Sequence, residues 1–146
     1  MKRLCLLAVL HAALATSPAL ARDTVLHVPL ADALVAPDSR NQLDGSVKFY
    51  LAGAPTPRIV EKLGSGVSSQ KANGVAYSDE DGCKRAILST LIHLQTAAKA
   101  KGANAVVDIV SFYKNRESRS DSTIECHAGA IVIGAAIKGT FARTAE

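Results

Sequence analysis

One long stretch of helical periodicity, which begins after Ser78, is the feature of this sequence that most restricts its fold. Ser78 is suited to cap a helix, and the acidic residues 79–81 place negative charge at the positive end of the helix dipole. Gly102 has the character of a C-cap. The residues of one face recur at spacings of three and four: Cys83, Ala86, Ile87, Thr90, Leu91, Leu94, Ala97, Ala98 and Lys101. The pattern predicts one amphipathic helix over residues 79–101, which must bury a face against other elements.

The remainder of the chain favours short strands. Five segments are rich in β-branched residues or alternate between polar and apolar residues: 24–28, 47–51, 58–71, 105–113 and 123 onward. The first segment ends at Pro29, which predicts an edge strand. In the third segment, Gly64 and Gly66 predict a bulge. The last two segments are predicted to pair as a hairpin. A shift of apolar phase beyond Gly129 predicts a bulge in the final strand, at Gly129 or Gly134.

These elements predict an α+β fold, in which a small, mainly antiparallel sheet carries one long amphipathic helix on one face. A chain of 146 residues fits one domain, which we place at residues 22–146. Apolar residues make up 48% of the chain, but aromatic residues only 4%, and tryptophan is absent. The core is therefore expected to consist mainly of alanine, valine, isoleucine and leucine.

Residues 1–21 have the pattern of a cleaved secretory signal. Lys2 and Arg3 give a positive start, residues 4–15 form a short apolar run, and Ala19-Leu20-Ala21 is the small-x-small pattern that signal peptidase cleaves. The run is too short for a transmembrane helix, so no stable membrane insertion is expected. Cys5 lies at the start of the run, where it cannot be a lipidated cysteine. The sequence predicts a periplasmic protein that begins at Arg22.

Charge and motifs argue against nucleic acid as a partner and against a nucleotide cofactor. Removal of Lys2 and Arg3 leaves 15 basic and 13 acidic residues, which lowers the formal net charge from +4 to +2. The local cluster of Arg116 and Arg119 is interrupted by acidic residues, as in a solvated loop. Residues 64–71 lack the Gly-Lys-Ser/Thr ending of a phosphate loop. No cofactor and no nucleic-acid partner are predicted.

The mature chain keeps two cysteines, Cys83 and Cys126, in a compartment where thiols oxidise. Cys83 lies on the apolar face of the predicted helix, and Cys126 lies on the apolar phase of the final strand. Packing of the helix on the sheet would bring them together, which predicts a disulfide. The alternative is a pair of buried free thiols that pack as small apolar groups.

Three further groups of residues are candidates for a metal site or a catalytic site. Cys83, Cys126, His127 and His93 contain the sulfur and imidazole ligands that zinc and copper prefer, but their spacing matches no known metal motif. His127 is expected to face solvent, because neighbours on a strand point to opposite faces, which also argues against a Cys126–His127 nucleophile. Asp108 interrupts an apolar strand on the face of Val106 and Val110, where a buried carboxylate would be a candidate acid or base. The alternative is an aspartate that is hydrogen-bonded or lies at a sheet edge. Without partners at a defined spacing, no catalytic residue is predicted.

The segments 97–107 and 128–132, together with 30–34 and 47–50, resemble a family of small exported proteobacterial proteins often labelled "excinuclease ATPase subunit". That activity needs a phosphate loop and zinc-binding cysteines, so we interpret the label as a misnomer. Residues 59–138 are more distantly similar to YbjQ-like proteins and to the envelope-stress lipoprotein RcsF. This resemblance implies a small sheet with one helix, and YbjQ-like proteins are described as heavy-metal binders that assemble into rings. The chain lacks the lipid-anchoring cysteine of RcsF.

Together the observations favour a non-enzymatic periplasmic protein with a structural or interaction role at the cell envelope. A second copy of the chain is a candidate partner. The alternative hypothesis is a metal-binding protein that uses Cys83, Cys126 and His127. A thiol redox enzyme is disfavoured, because the sequence has no Cys-x-x-Cys motif.

Overall fold

The computed structural model describes residues 21–145, so the predicted signal lies outside the described residues except for Ala21. Six strands and one long helix form an α+β fold, as the sequence predicts. Two short 3₁₀ turns, Ser39–Asn41 and Tyr113–Asn115, connect the main elements. The main elements are β1 (Thr24–Pro29), α1 (Leu30–Leu34), β2 (Lys48–Leu51), β3 (Ile59–Asn73), α2 (Asp79–Ala100), β4 (Ala105–Ser111), β5 (Thr123–Ala128) and β6 (Val132–Thr144).

The strands form one six-stranded sheet that is organised around β6. One edge of β6 pairs antiparallel with β3 along nearly its whole length. The other edge is shared, since β6 pairs with β5 near its start and with β4 further along. β1 extends the β5 branch antiparallel, whereas β2 extends the β4 branch parallel. The sheet is therefore mainly antiparallel, with a single parallel pair among the described strands.

The predicted hairpin between residues 105–113 and the following strand is wrong. β4 pairs with β2 and β6, and β5 pairs with β1 and β6. The final segment is also two strands rather than one bulged strand. The chain reverses after Gly129, whose N–H donates to the carbonyl of Val132 at 2.9 Å. A side chain on Gly129 would place its first carbon 2.9 Å from that same carbonyl oxygen, so the turn requires glycine. The phase shift in the sequence marks this reversal.

The bulged strand predicted around Gly64 and Gly66 is confirmed in β3. The register against β6 shifts between Lys62 and Ser65, and Gly64 has a φ of 96°, in the left-handed region. Gly66 lies against the ring of Phe141, and a first side-chain carbon there would be 2.5 Å from Cζ of that ring. The missing side chain therefore makes room for the largest of the fully buried side chains.

The long helix is confirmed as α2. The Ser78 hydroxyl accepts a hydrogen bond from the Asp81 N–H at 3.1 Å, and Gly102 follows the helix with a φ of 72°. The apolar face of α2 packs on one face of the sheet and contributes side chains to the main core. Each fully buried isoleucine or leucine contributes about 1.5–3 kcal/mol. The largest fully buried members of this core are Ile87, Leu91, Leu94, Ile109, Ile124, Ile133, Ile137 and Phe141.

The predicted disulfide between Cys83 and Cys126 is present. It joins the first turns of α2 to β5, with the two Cα atoms 5.8 Å apart, and both residues are fully buried. The covalent bond holds the N-terminal end of the helix against the sheet at the branch formed by β5 and β1.

Replacement of both cysteines, Cys83→Ala and Cys126→Ala, is expected to lower the free energy of unfolding by about 4 kcal/mol. The estimate is the chain-entropy cost of opening a cross-link between residues 43 apart in sequence. Urea unfolding followed by circular dichroism would measure it. Wild-type protein under reductant is the matched control, because it loses the cross-link but keeps the sulfur atoms. A loss below about 1 kcal/mol in both samples would contradict the expectation.

Candidate functional site

The structure does not bring the predicted metal ligands together. The sulfur atoms of Cys83 and Cys126 are bonded to each other, so neither is available as a thiolate. His93 is exposed on α2, and His127 lies on the opposite face of the sheet from Cys126. Over residues 21–145, no group of three or more histidine, cysteine or acidic side chains is placed to hold a metal ion.

Of the two interpretations of Asp108, the buried carboxylate is wrong. A register shift between Val107 and Val110 places a bulge in β4, and Asp108 adopts a φ of 52° within it. The bulge directs the Asp108 side chain to the surface, where it is 55% exposed and lies 3.8 Å from the Lys62 ammonium group. An exposed, ion-paired carboxylate of this kind has the character of a solvated surface group rather than of a catalytic acid.

His127 does not face solvent as expected, and its side chain is only 8% exposed. The segment 112–122 folds back over the sheet face opposite α2, and the Phe112 N–H donates to the Ala136 carbonyl at 2.8 Å. This places the Tyr113 ring on the His127 ring, with centroids 3.6 Å apart and an angle of 9° between the planes. The alternation of β5 puts His127 on the face away from the helix, but the loop covers that face.

Two carboxylates hold the His127 ring at its edges. Nδ1 lies 2.9 Å from Oδ1 of Asp23, and Nε2 lies 2.7 Å from Oε1 of Glu125. An imidazolium can donate at both nitrogens, whereas a neutral ring can donate at only one. The hydrogen bond with His127 holds the pKa of Glu125 below its usual value of 4.5, against the opposing effect of burial. The result is a buried histidine held between a half-buried glutamate and an exposed aspartate and covered by an aromatic ring.

The His127 cluster, which consists of Asp23, Glu125, His127 and Tyr113, ties three parts of the chain together. These parts are the N-terminal segment before β1, strand β5 and the loop 112–122. His127 also lines a cavity of about 350 Å³ beside Lys71. Both ring nitrogens contact carboxylates, so a ligand in that cavity would have to displace one of these contacts to reach a ring nitrogen. The two carboxylates lie at opposite nitrogens and therefore cannot share one metal ion through this ring.

Sequence reasoning missed this cluster because its members are far apart in the chain. Asp23 and His127 are separated by 104 positions, and the cover by Tyr113 depends on the path of a loop. One local signal was available. Glu125 and His127 are two residues apart on a strand, so their side chains share a face and can form a hydrogen bond.

No protein-family model matches this sequence, and no curated protein matches it. The resemblances to exported proteobacterial proteins and to YbjQ-like proteins therefore stay predictions. Among the residues from 21 to 145, no helix is long and apolar enough to cross a membrane.

The lowered pKa of Glu125 predicts a loss of stability in acid. A group whose pKa is depressed in the folded state stabilises the protein above its unfolded value, near 4.5, and loses that contribution as the pH falls through the folded value. We therefore expect Glu125→Gln to lower the free energy of unfolding at pH 7, and the difference from wild type to shrink between about pH 5 and pH 3. Urea unfolding at a series of pH values would measure both curves.

The matched control for this experiment is Glu80→Gln, which changes a glutamate whose side chain is 68% exposed. This variant keeps the contact between Glu125 and His127, so it should retain the acid-dependent loss of the wild type. Parallel curves for wild type and Glu125→Gln over the whole pH range would contradict the assignment.

Proposed function

We propose that this protein is an exported, non-enzymatic structural protein that associates with a second copy of itself through the outer edge of β3. The observation that carries the proposal is the length and composition of that edge. β3 spans 15 residues and pairs only with β6, so its other edge has no strand partner within residues 21–145.

The outer edge of β3 has little of the protection that sheet edges normally carry. Residues 63–70 contain no charged side chain and no proline, and Val67 is 55% exposed in their midst. Lysines, prolines and bulges usually block further strand pairing. In β3 the bulge lies at Gly64, near the start of the uncharged stretch, and the flanking charges are at Lys62 and Lys71. The centre of the strand is therefore open to another strand.

A second copy fits this edge by symmetry. An antiparallel pair with its twofold axis at Val67 would place this valine against Val67 of the second copy. The same register sets Ser65 opposite Ser69 and Lys71 opposite Leu63, so that no two lysines oppose each other. The same surface patch serves both copies, as a twofold interface requires.

The disulfide supports the exported state, because such bonds persist mainly in oxidising compartments. The non-enzymatic role is supported by the state of the reactive groups. The cysteines are bonded to each other, the nitrogens of His127 contact carboxylates, and Asp108 pairs with Lys62 at the surface.

The intact mass of protein recovered from the periplasm is expected to correspond to a chain that begins at Arg22. Treatment with a thiol-alkylating reagent should add no mass before reduction and two groups after it, because both remaining cysteines are in the disulfide. A chain made in the cytosol without residues 2–21 is the control, and its two thiols should react directly. A retained leader, or free thiols in the periplasmic protein, would contradict export in the oxidised form.

Val67→Lys is expected to convert a dimer into a monomer. The two lysines introduced at position 67, one from each copy, would face each other across the paired strands. Size-exclusion chromatography with light scattering would measure the mass in solution. Val75→Lys is the matched control, because Val75 is 77% exposed but lies in the loop after β3. A wild-type monomer at high concentration, or a dimer that survives Val67→Lys, would reject this interface.

A further inference from the structure

The sheet has a second open edge, at β2, whose surroundings differ from those of β3. β2 contains only Lys48–Leu51 and pairs with β4 alone. The Lys48 N–H donates to the Asn104 carbonyl at 2.9 Å, on the side of β4. Because successive residues of a strand direct their backbone groups to opposite edges, those of Phe49 point away from β4. The backbone of β2 can therefore accept one more strand.

Two cavities adjoin this edge, one on each face of β2. Lys48 and Tyr50 line both cavities, which meet at the open edge; the larger, about 580 Å³, extends to Arg58, and the smaller, about 330 Å³, extends to Val47 and Phe49. Successive side chains of a strand point to opposite faces, and Phe49 packs against the main core whereas Tyr50 packs against the small cluster on the other face. The smaller cavity therefore extends onto the face of Phe49 and the larger onto the opposite face. A strand added at β2 would direct alternate side chains toward one cavity and then toward the other.

Within residues 21–145, the larger cavity carries positive charge without a compensating acid. Lys48 and Arg58 both line it, and none of its lining residues is acidic. Neither cation forms an ion pair with a carboxylate among the described residues. The wall between them is fixed, because the Asn104 side chain accepts a hydrogen bond from the Thr144 N–H at 2.8 Å and donates to the Thr144 carbonyl at 3.1 Å.

The smaller cavity is mainly apolar. Leu34 and Leu43, both half-buried, form its wall together with the Phe49 ring. The two cavities share Gly45, Lys48 and Tyr50, so they form one groove along the edge of β2. The groove therefore offers a cationic side and an apolar side to the two faces of an incoming strand.

We propose that the edge of β2 binds an extended acidic peptide by strand addition. An acidic side chain of the peptide occupies the cavity lined by Lys48 and Arg58, and a neighbouring apolar side chain occupies the cavity lined by Leu34, Leu43 and Phe49. Backbone hydrogen bonds to β2 supply affinity, and the alternation of the two cavities supplies specificity. The ligand class is a protein segment in which acidic and apolar residues alternate. This surface lies on a different edge from the β3 interface and does not depend on it.

The test uses a short fluorescein-labelled peptide of alternating aspartate and valine, with binding to the full mature protein measured by fluorescence anisotropy. We expect saturable binding that weakens with salt. A peptide of alternating lysine and valine has the same apolar content and should not bind. Arg58→Gln and Lys48→Gln should each weaken binding about tenfold or more, because each removes a charged hydrogen-bond donor. Arg116→Gln, which removes an exposed cation from the loop 112–122, is the matched control and should bind as wild type.

A second readout separates strand addition from simple charge attraction. Amide hydrogen exchange should show that the Phe49 N–H becomes protected in the peptide complex. Thermal unfolding of the Arg58 and Lys48 variants checks that both remain folded. Equal binding of the lysine peptide, unchanged affinity in Arg58→Gln, or an unprotected Phe49 amide would each overturn the proposal. If the aspartate peptide does not bind and Arg58→Gln changes the oligomeric state, the edge belongs to a contact between copies of this chain instead.

Discussion

Burial of one face of α2 against the sheet is the interaction on which the remainder of this structure depends. The helix supplies Ile87, Leu91 and Leu94 to a core that contains few aromatic rings. Packing among small aliphatic side chains leaves little margin, because each contributes only a few kcal/mol. The disulfide at Cys83 reinforces the same contact from the N-terminal end of the helix, where it reaches β5. The packing of α2 and the disulfide therefore stabilise the same interface between the helix and the sheet.

The features that the sequence predicts correctly are those set by local chemistry. The cap at Ser78, the end at Gly102 and the spacing of apolar residues define α2 without reference to the remaining chain. The bulge in β3 follows from Gly64, and the disulfide follows from two cysteines that lie on faces destined to meet. In each case the deciding interaction is between neighbours, or between two surfaces that must both be buried.

The features that the sequence does not predict are those set by non-local pairing. Nothing near β4 and β5 indicates that β6 takes the place between them, because strand order depends on which pairings bury the most surface over the whole sheet. The bulge that turns Asp108 outward arises from the same pairing with β6. The cluster around His127 is not predicted for a further reason, since its partner Asp23 comes from the N-terminal end of the domain and its cover Tyr113 comes from a loop.

The position of β6 also affects when this chain can fold. β6 pairs with β3, β4 and β5, yet it follows all of them in the sequence. In synthesis from the N-terminus, every strand that β6 joins is made before β6 itself, so the sheet cannot close until β6 has been added. Before that point the β1–β5 pair and the β2–β4 pair have no strand between them. In this topology the order of the strands delays closure of the sheet, because the long-range pairings made by β6 all come last.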